Sequence, residues 1–510
     1  MPCGGSLEAA SLTVADLFLA QVHSVGAEVA LQQGALRRTY RELNARVNRL
    51  AHALAALGVA RGARIAVLSE NRSEYLELEL AAAKLGAIVA CQNWRQADPE
   101  LEYCLRLVEP AVVMHSERYR PLVQRLAHGA PATLCLGEAY ESLLAGASAA
   151  EPQAAVSPED GLVLLYTSGT TGNPKAALIS HRAVIARSLV SALDRPMERE
   201  DAFAAWTPLF HMGASDHALS TLMRGGKVIL MDGFDPAALV RILACERLGW
   251  LHVMPGTAGR LLAELQSSAL RPKAIRYIGV MADLTPRPHI AKLTRLLGAP
   301  YVNTFGSTEA GSIASKGQIP VGVLPQRLSK QQSSLCRIRL VDAQDRDVAE
   351  GEPGEMLVRG PSLFSGYWQA AELDAEVFRD GWFHSGDVFV RHADGSLDFV
   401  DRRKYLIKSG GENIYPAEIE RLLLGSPRIA DAVVVRRPDP KWGEVPVAFI
   451  VRADPGLRAD EVRSLCDGQL ARYKLPREIR FVDAAELPRS ASGKIIRGEL
   501  ERMLQEFGNA

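Results

Sequence analysis

The sequence predicts an α/β protein with a large N-terminal domain of layered, mostly parallel sheets and helices, followed by a small α+β lid domain. Its 510 residues exceed what one hydrophobic core normally supports, which indicates at least two domains. Short apolar runs alternate with helix-like segments through most of the chain, a rhythm typical of parallel sheets. After about residue 400 the segments become shorter and mixed, as in a compact α+β unit. The change in pattern predicts a domain boundary near residue 400.

The predicted elements follow in chain order. ARIAVLSEN and SEYLELELAAAKLGAIVA predict a strand, a turn and an amphipathic helix. Further strands are predicted at AVVMHS, GLVLLYTS, KVILMDG, WLHVMPG, IRYIGVM and YVNTFGS. The Ala- and Ser-rich segment 143–158 predicts a surface connection. Near the C-terminus we expect helices at PAEIERLLLG and ADEVRSLCDGQLARYK, strands at ADAVVVRR, EVPVAFIV and REIRFVD, and a final helix.

Composition excludes several classes of protein. Basic and acidic residues both number 59, so no net charge draws the chain to nucleic acid or anionic lipid, and an anionic ligand needs a local site. The seven cysteines are scattered without a C-x-x-C pair, which argues against a zinc ribbon or a disulfide framework. Neither a signal peptide nor a bilayer-spanning apolar run is recognisable. We expect a soluble cytoplasmic protein with no nucleic-acid partner and no membrane span.

The segment LVLLYTSGTTGNPK joins an apolar strand to a loop that suits a polyphosphate. Glycines let backbone N–H groups converge, hydroxyls add donors, and a lysine supplies charge. The predicted nucleotide-binding residues here are Thr167, Ser168, Gly169, Thr170, Thr171, Gly172 and Lys175. The triphosphatase pattern G-x-x-x-x-G-K-[ST] does not fit, because Gly169 and Gly172 are too close together and Ala176 follows Lys175.

Further motifs follow that loop: NTFGSTE, GWFHSGD, DRRKYLIKSGGENIYPAEIE and LPRSASGK. Together with YTSGTTGNPK they stand in the order found in the acyl-adenylate-forming superfamily, which the sequence resembles from about residue 160 to its end. That superfamily includes acyl-CoA synthetases, aryl-CoA ligases, firefly luciferase and the adenylation domains of peptide synthetases. The resemblance implies an ATP-dependent, AMP-forming carboxylic acid:CoA ligase that uses ATP, Mg²⁺ and coenzyme A.

The resemblance also implies roles for residues around the nucleotide. Asn303 would bond the adenine edge with Phe305 beside the ring, although Phe305 could equally fill the core. Glu309 would hold Mg²⁺, since hard cations prefer oxygen ligands. Asp387 would bond the ribose hydroxyls, and Arg402 the ribose or the α-phosphate. The remaining nucleotide-binding residues of NTFGSTE would be Thr304, Gly306, Ser307 and Thr308.

By the same resemblance, two conformations of the small domain would serve two half-reactions. Lys494 would be the catalytic cation of adenylation, offsetting the repulsion between carboxylate and phosphate. Lys404 would be the hinge of a mobile small domain, which gives predicted domains at 1–403 and 404–510. The thiol tunnel would involve Gly410, Gly411, Trp442 and Tyr473, the two aromatics being equally well explained by simple packing.

The resemblance further implies an acyl pocket of mostly apolar residues, in which His211 would also act as a catalytic gate beside the thiol route. The candidates are His211, Met212, Met254, Val280, Met281 and Phe305. No cation in this set would pair a second carboxylate, so the sequence predicts a fatty or aromatic monocarboxylic acid. His217 follows His211 by six residues, outside the spacing of about three to five that zinc pairs use, so no metal pair is predicted.

Two departures from the family pattern limit the resemblance. Val280, Met281 and Ala282 replace a stretch that is usually Gly/Ala-rich beside the pocket. RLSKQQSSLCRIRLVD stands where a Gly- and Pro-rich segment is usual, so the conformation of residues 317–335 is not predicted.

Two other functions stay open on the sequence alone: loading of an acyl carrier protein, and a non-catalytic nucleotide-binding relative. The sequence does not specify the acid, the pathway or the oligomeric state, with a homodimer among the open possibilities.

Overall fold

The computed structural model describes residues 11–127, 129, 132–167, 173–409, 412–467, 469–489 and 495–508. Several predicted site residues lie outside the described residues: Ser168, Gly169, Thr170, Thr171, Gly172, Gly410, Gly411 and Lys494.

Strands occur along most of the chain, and we number them from the N-terminus. They are β1 (Val29–Gln33), β2 (Leu36–Thr39), β3 (Arg64–Leu68), β4 (Ile88–Cys91), β5 (Val112–Ser116), β6 (Thr133–Leu136), β7 (Gly161–Thr167), β8 (Lys175–Ser180), β9 (Ala202–Ala205), β10 (Val228–Leu230), β11 (Arg247–His252), β12 (Ala274–Val280), β13 (Tyr301–Asn303), β14 (Phe305–Ser307), β15 (Gly311–Ala314), β16 (Gln318–Ile319), β17 (Arg337–Val341), β18 (Pro353–Arg359), β19 (Phe378–Arg379), β20 (Trp382–Arg391), β21 (Leu397–Arg402), β22 (Ile407–Ser409), β23 (Glu412–Ile414), β24 (Ile429–Asp439), β25 (Gly443–Arg452) and β26 (Glu478–Phe481).

The α-helices connect and cover these strands. They span Val14–Val25, Tyr40–Ala56, Ser73–Leu85, Asp98–Val108, Arg120–Leu126, Glu138–Ala145, His181–Asp194, Met212–Met223, Pro236–Cys245, Pro255–Ser267, Arg287–Leu297, Ala371–Val377, Pro416–Leu423, Ala459–Cys466 and Arg497–Gly508. No described helix is long and apolar enough to cross a membrane.

Two sheets built mainly of parallel strands form the large part of the molecule. One has the order β6-β5-β3-β4-β7-β8, with only the β7–β8 pair antiparallel. The other has the order β16-β13-β12-β11-β9-β10-β1-β2 and is parallel from β13 to β1. Buried apolar residues of both sheets belong to one continuous core. The predicted layered α/β class is confirmed.

The chain between about residues 337 and 402 forms a sheet that the sequence did not predict. Its order is β17-β18-β20-β19, with β21 paired to β20, and every pairing is antiparallel. The predicted strand YVNTFGS is also divided, because β13 pairs with β12 whereas β14 pairs with β15. Gly306 permits the second pairing, since a Cβ there would lie 2.4 Å from the carbonyl oxygen of Gly311.

The C-terminal part is an α+β unit around the sheet β23-β22-β25-β24, in which β26 runs parallel to β25. Its helix Ala459–Cys466 is shorter than predicted, because Asp467 adopts an extended backbone and ends it. Helix Pro416–Leu423 contacts the large part: the Ala417 N–H donates to Asp401 and Arg421 donates to the carbonyl of Phe399. The boundary at residue 404 stays a prediction.

The segment 317–335, whose conformation the sequence left open, is anchored on both sides. Strand β16 pairs with β13, and the backbone of Lys330 bonds that of Leu397 in both directions. The Ser334 N–H donates to the Asp194 carboxylate. This segment therefore packs firmly beside the carboxyl end of β13.

Candidate active site

Three neighbouring parallel strands end together at one edge of the larger sheet. His252 is the last residue of β11, Val280 of β12 and Asn303 of β13. The register pairs His252 with Gly279 and Val280 with Asn303, so these ends lie side by side. Ligands of open α/β sheets commonly bind outside the carboxyl ends of their strands. This edge is where we locate the candidate site.

A lysine, a tyrosine and a glutamate meet close to the phosphate loop. Lys175 begins β8, and its Nζ lies 5.4 Å from the centre of the Tyr367 ring. The Tyr367 hydroxyl donates to Oε1 of Glu309 at 2.8 Å. Burial, and next the Glu309 charge, raise the pKa of Tyr367, so the phenol keeps its proton and stays a donor. The two predicted residues Lys175 and Glu309 are thus joined through Tyr367.

Tyr367 was not among the residues singled out from the sequence. It sits opposite Ala177 of β8 in an isolated bridge, and its N–H donates to Asp374. It is separated from Glu309 by 58 positions, and no local spacing indicates their contact.

Asp387 and Arg402 form the second charged pair of the site. They are register partners on β20 and β21, and Arg402 Nε donates to Asp387 Oδ1 at 2.9 Å. The Asp387 carboxylate, together with Glu309, raises the pKa of Arg402. The guanidinium therefore contacts Asp387 directly and is also affected by the charge of Glu309.

Asn303 and Phe305 have internal partners in this structure. The Asn303 amide accepts from the Ala282 N–H at 2.8 Å and donates to the carbonyl of Leu328 at 2.6 Å. The Phe305 ring is buried, 4.7 Å from Phe389 and 5.6 Å from Phe399 between ring centres. Both residues thus shape the strand end, and their roles toward adenine stay predictions.

The predicted acyl-pocket residues lie around the same strand ends. His211 caps the helix Met212–Met223, and its ring centre is 4.6 Å from that of Phe210. Met212 and Met281 pack against the same core that contains Phe305. Met254 packs instead against the core on the opposite face of the sheet. Met212, Met281 and Phe305 therefore adjoin the core on one face of the sheet, whereas Met254 adjoins the core on the other face.

The predicted hinge residue Lys404 lies beside the ring of Tyr405. Arg497, which follows Lys494 closely in the sequence, contacts the same ring. Lys404 is half-buried with its Nζ 5.0 Å from the centre of the Tyr405 ring, and burial lowers its pKa. The guanidinium of Arg497, three residues after Lys494 in the sequence, lies 4.9 Å from the centre of the same ring. The described chain next to Lys494 therefore contacts the segment just beyond Arg402.

Trp442 and Tyr473 are exposed in this structure. Their exposed fractions are 39% and 37%, so neither fills the core of the small domain. Lys441 and Arg477 lie 4.8 Å and 5.8 Å over the Trp442 ring. Exposed aromatics beside cations suit an anionic ligand with planar parts better than they suit packing.

Glu309 is a candidate ligand for Mg²⁺, acting as a single carboxylate and not as part of a cluster of protein ligands. Among the described residues no group of three or more His, Cys, Asp or Glu side chains could hold a metal. Glu309 is half-buried, and Tyr367 donates to Oε1. The described residues provide no hydrogen bond to Oε2, a carboxylate oxygen of the kind that Mg²⁺ binds together with substrate phosphates.

Comparisons with known proteins agree with this layout. The sequence profile described as AMP-binding enzyme matches residues 18–368, and the one described as AMP-binding enzyme C-terminal domain matches 418–494. A feruloyl-CoA synthase of an Amycolatopsis species is 36% identical over 93% of this chain and 95% of its own. An indoleacetate–CoA ligase of Aromatoleum aromaticum is 36% identical over 91% of this chain and 93% of its own. ATP-bound MatB from Rhodopseudomonas palustris has a TM-score of 0.84 at 27% identity, covering 97% of this chain and 100% of that one.

Proposed function

Because the chain belongs to the AMP-binding enzyme family, we propose that it is an ATP-dependent, AMP-forming carboxylic acid:CoA ligase that acts through an acyl-adenylate. The relatives named above are acyl- and aryl-CoA ligases and match nearly the whole chain. We propose a fatty or aromatic monocarboxylic acid as the substrate.

One observation carries this proposal: four charged residues from distant parts of the sequence meet in two groups, and the charge of Glu309 in one group acts on Arg402 in the other. Lys175 and Glu309 meet through Tyr367, and Arg402 links Glu309 electrostatically to Asp387. A cation beside the phosphate loop and a carboxylate for Mg²⁺ suit a triphosphate, while Asp387 suits a ribose. Arg402, bonded to Asp387, would contact the ribose or the α-phosphate.

Mg²⁺ held by Glu309 would neutralise the phosphate oxygens and favour departure of pyrophosphate. Thr167 and Lys175 flank the loop that would cradle the phosphates, along with Ser168, Gly169, Thr170, Thr171 and Gly172. Thr304, Gly306, Ser307 and Thr308 would line the other side.

Lys494 would supply the positive charge needed when a carboxylate attacks the α-phosphate, because two anionic groups must approach each other. The acid carboxylate would displace pyrophosphate, and CoA sulfur would then displace AMP to form the thioester. We propose that the small domain turns about Lys404 between these steps. Trp442 and Tyr473, with Gly410 and Gly411, would then contact the CoA arm.

A panel of fatty and aromatic acids, supplied with ATP, Mg²⁺ and CoA, tests the proposal. We expect stoichiometric AMP, pyrophosphate and acyl-CoA for at least one acid, as detected by chromatography. Formation of ADP, or no acid-dependent product across the panel, would contradict it. Thioester formed only when an acyl carrier protein replaces CoA would favour the carrier-loading alternative.

A further inference from the structure

Two histidines, His217 and His252, lie in contact near the end of β11, which borders the proposed acyl pocket. His252 ends β11, and His217 lies on the helix that begins directly after His211. Their ring centres are 4.9 Å apart and the rings are nearly perpendicular, at 78°. Neither belongs to the set of pocket residues predicted from the sequence.

Gly213 lies beside the buried ring of His252 and has no side chain to contact it. A Cβ on Gly213 would lie 3.8 Å from Cε1 and 3.9 Å from Nε2 of His252, so any side chain there would cover that edge. The missing side chain therefore leaves space between the start of the helix and the end of β11.

The ring of His217 is held in one orientation. Phe203 lies against one side with ring centres 5.5 Å apart and an angle of 27°, and Trp250 is 5.6 Å away at 23°. Its Nδ1 is 2.8 Å from the carbonyl oxygen of Gly213. Two aromatic neighbours and one hydrogen bond thus fix where the other ring nitrogen, Nε2, lies.

The same hydrogen bond determines the tautomer. A carbonyl oxygen only accepts, so Nδ1 of His217 must carry the proton. Burial lowers the pKa of His217 well below its ordinary value, and the nearby His252 and Arg195 lower it further, so the ring is neutral. A neutral imidazole has one N–H, which leaves Nε2 as an acceptor. Among the described residues this buried Nε2 has no hydrogen-bond partner.

We propose that His217 and His252 form the polar end of the acyl pocket, and that the acid carries an O–H or N–H group that donates to Nε2 of His217. The inference rests on the proposed function and narrows its substrate class. A buried acceptor without a donor is unfavourable, and a substrate donor would satisfy it. A hydroxylated or N–H-bearing aromatic acid presents such a donor at a fixed distance from its carboxylate, which an unsubstituted fatty acid does not.

Matched acids test this with the unmodified enzyme. The panel contains cinnamate, its 2-, 3- and 4-hydroxy derivatives, their methyl ethers, indole-3-acetate and 1-methylindole-3-acetate. We expect at least one donor-bearing acid to exceed both its methylated and its donor-free counterpart in kcat/KM by about tenfold or more. Equal kcat/KM values within every matched set would overturn the inference, whereas no turnover of any acid would instead refute the proposed function.

Variants then assign the effect to His217. His217→Phe should abolish the preference for the donor, so that kcat/KM becomes equal within each matched set of acids, because the acceptor is removed while the ring volume is kept. His217→Gln, which retains an acceptor, should restore part of the preference. The exposed His23→Phe serves as the matched control and should change nothing. A donor preference that persists in His217→Phe would show that another group recognises the substrate. Where a variant fails to fold, the comparison of acids with the unmodified enzyme still decides.

Discussion

Tyr367 shows how one neutral side chain organises the charges of the site. Its hydroxyl donates to Glu309 while its ring lies under Lys175, so a single residue positions a proposed metal ligand and a proposed phosphate ligand. Because its pKa is raised, this donor persists throughout the physiological pH range.

Tyr367→Phe should therefore weaken the metal site more than the phosphate site. The ring that faces Lys175 remains, but Glu309 loses its positioning hydrogen bond, which is typically worth about 1 kcal/mol. We expect the Mg²⁺ concentration for half-maximal pyrophosphate release to rise about fivefold. Tyr103→Phe, on the helix Asp98–Val108 outside the proposed site, is the control. An unchanged Mg²⁺ dependence would show that Tyr367 does not position Glu309.

Glu79 is a buried carboxyl that the proposed reaction does not use. It is fully buried, accepts from Ser215 Oγ at 2.9 Å, and has its pKa raised to about 8, chiefly by burial and also by Asp216. The folded protein thus retains a proton that the unfolded chain releases above the ordinary pKa of 4.5. Stability from this group is therefore greatest below that pKa and falls as pH rises toward about 8.

Glu79→Gln should remove this pH dependence, because the amide does not ionise. We expect the free energy of unfolding of the variant, relative to the unmodified protein, to increase between about pH 4.5 and pH 8 by a few kcal/mol at most. Urea denaturation at several pH values measures it, with the exposed Glu138→Gln as control. A constant difference at all pH values would mean that Glu79 titrates normally.

At the level of elements, the pattern of apolar residues predicted most strands of the two parallel sheets but not which strands pair with each other. The apolar runs that became β3 and β7 were predicted, because strands buried on both faces appear as nearly continuous Val, Ile and Leu. The antiparallel sheet of β17 to β21 was missed, since its strands mix polar and apolar residues, as RIRLV of β17 does. The ending of helix Ala459–Cys466 depends on one backbone turn at Asp467, which has no periodic signal.

The segment 317–335 is joined to the turn after β12 by a buried ion pair. Lys330 is fully buried, and its Nζ lies 2.6 Å from Oδ2 of Asp283. Burial lowers the pKa of Lys330, while Asp283 opposes that shift. This pair fixes the element that supplies Leu328 to Asn303.

Asp283→Leu should leave a buried ammonium without its counter-ion and reduce the free energy of unfolding by about 3–5 kcal/mol. The double variant Asp283→Leu with Lys330→Met removes both charges and should recover most of that loss. Urea denaturation of the single and double variants compares them. If the double variant lost as much free energy of unfolding as Asp283→Leu and Lys330→Met lose together, the two charges would not compensate each other.

On the scale of the whole molecule, the sequence indicated candidate site residues through its motifs, but it did not predict the contacts between distant segments. Lys175, Glu309, Asp387 and Arg402 were predicted from motifs, and the structure joins Lys175 to Glu309 through Tyr367 and Arg402 to Asp387, while their roles stay predictions. The contributions of Tyr367, Lys330 and His217 were not predicted, because their contacts join segments that only the tertiary fold brings together. Phe305 shows the same limit, since its aromatic partners come from β20 and β21.

The two proposed half-reactions make different demands on the small domain. In the proposed mechanism, adenylation would require Lys494 to offset the charge of the attacking carboxylate, whereas thioester formation would require contact with CoA through groups such as Trp442. The exposure of Trp442 and Tyr473 is compatible with a surface that meets its ligand in only one of the two steps.

The most direct test measures the two half-reactions separately in Lys494→Ala, with Trp442→Ala alongside. We predict that Lys494→Ala lowers acid-dependent pyrophosphate release by about a hundredfold or more while largely preserving thioester formation from preformed acyl-adenylate and CoA. Trp442→Ala should instead slow thioester formation while largely preserving acid-dependent pyrophosphate release. If Lys494→Ala slowed both half-reactions equally, the assignment of this lysine to adenylation, and with it the two-step account, would be contradicted.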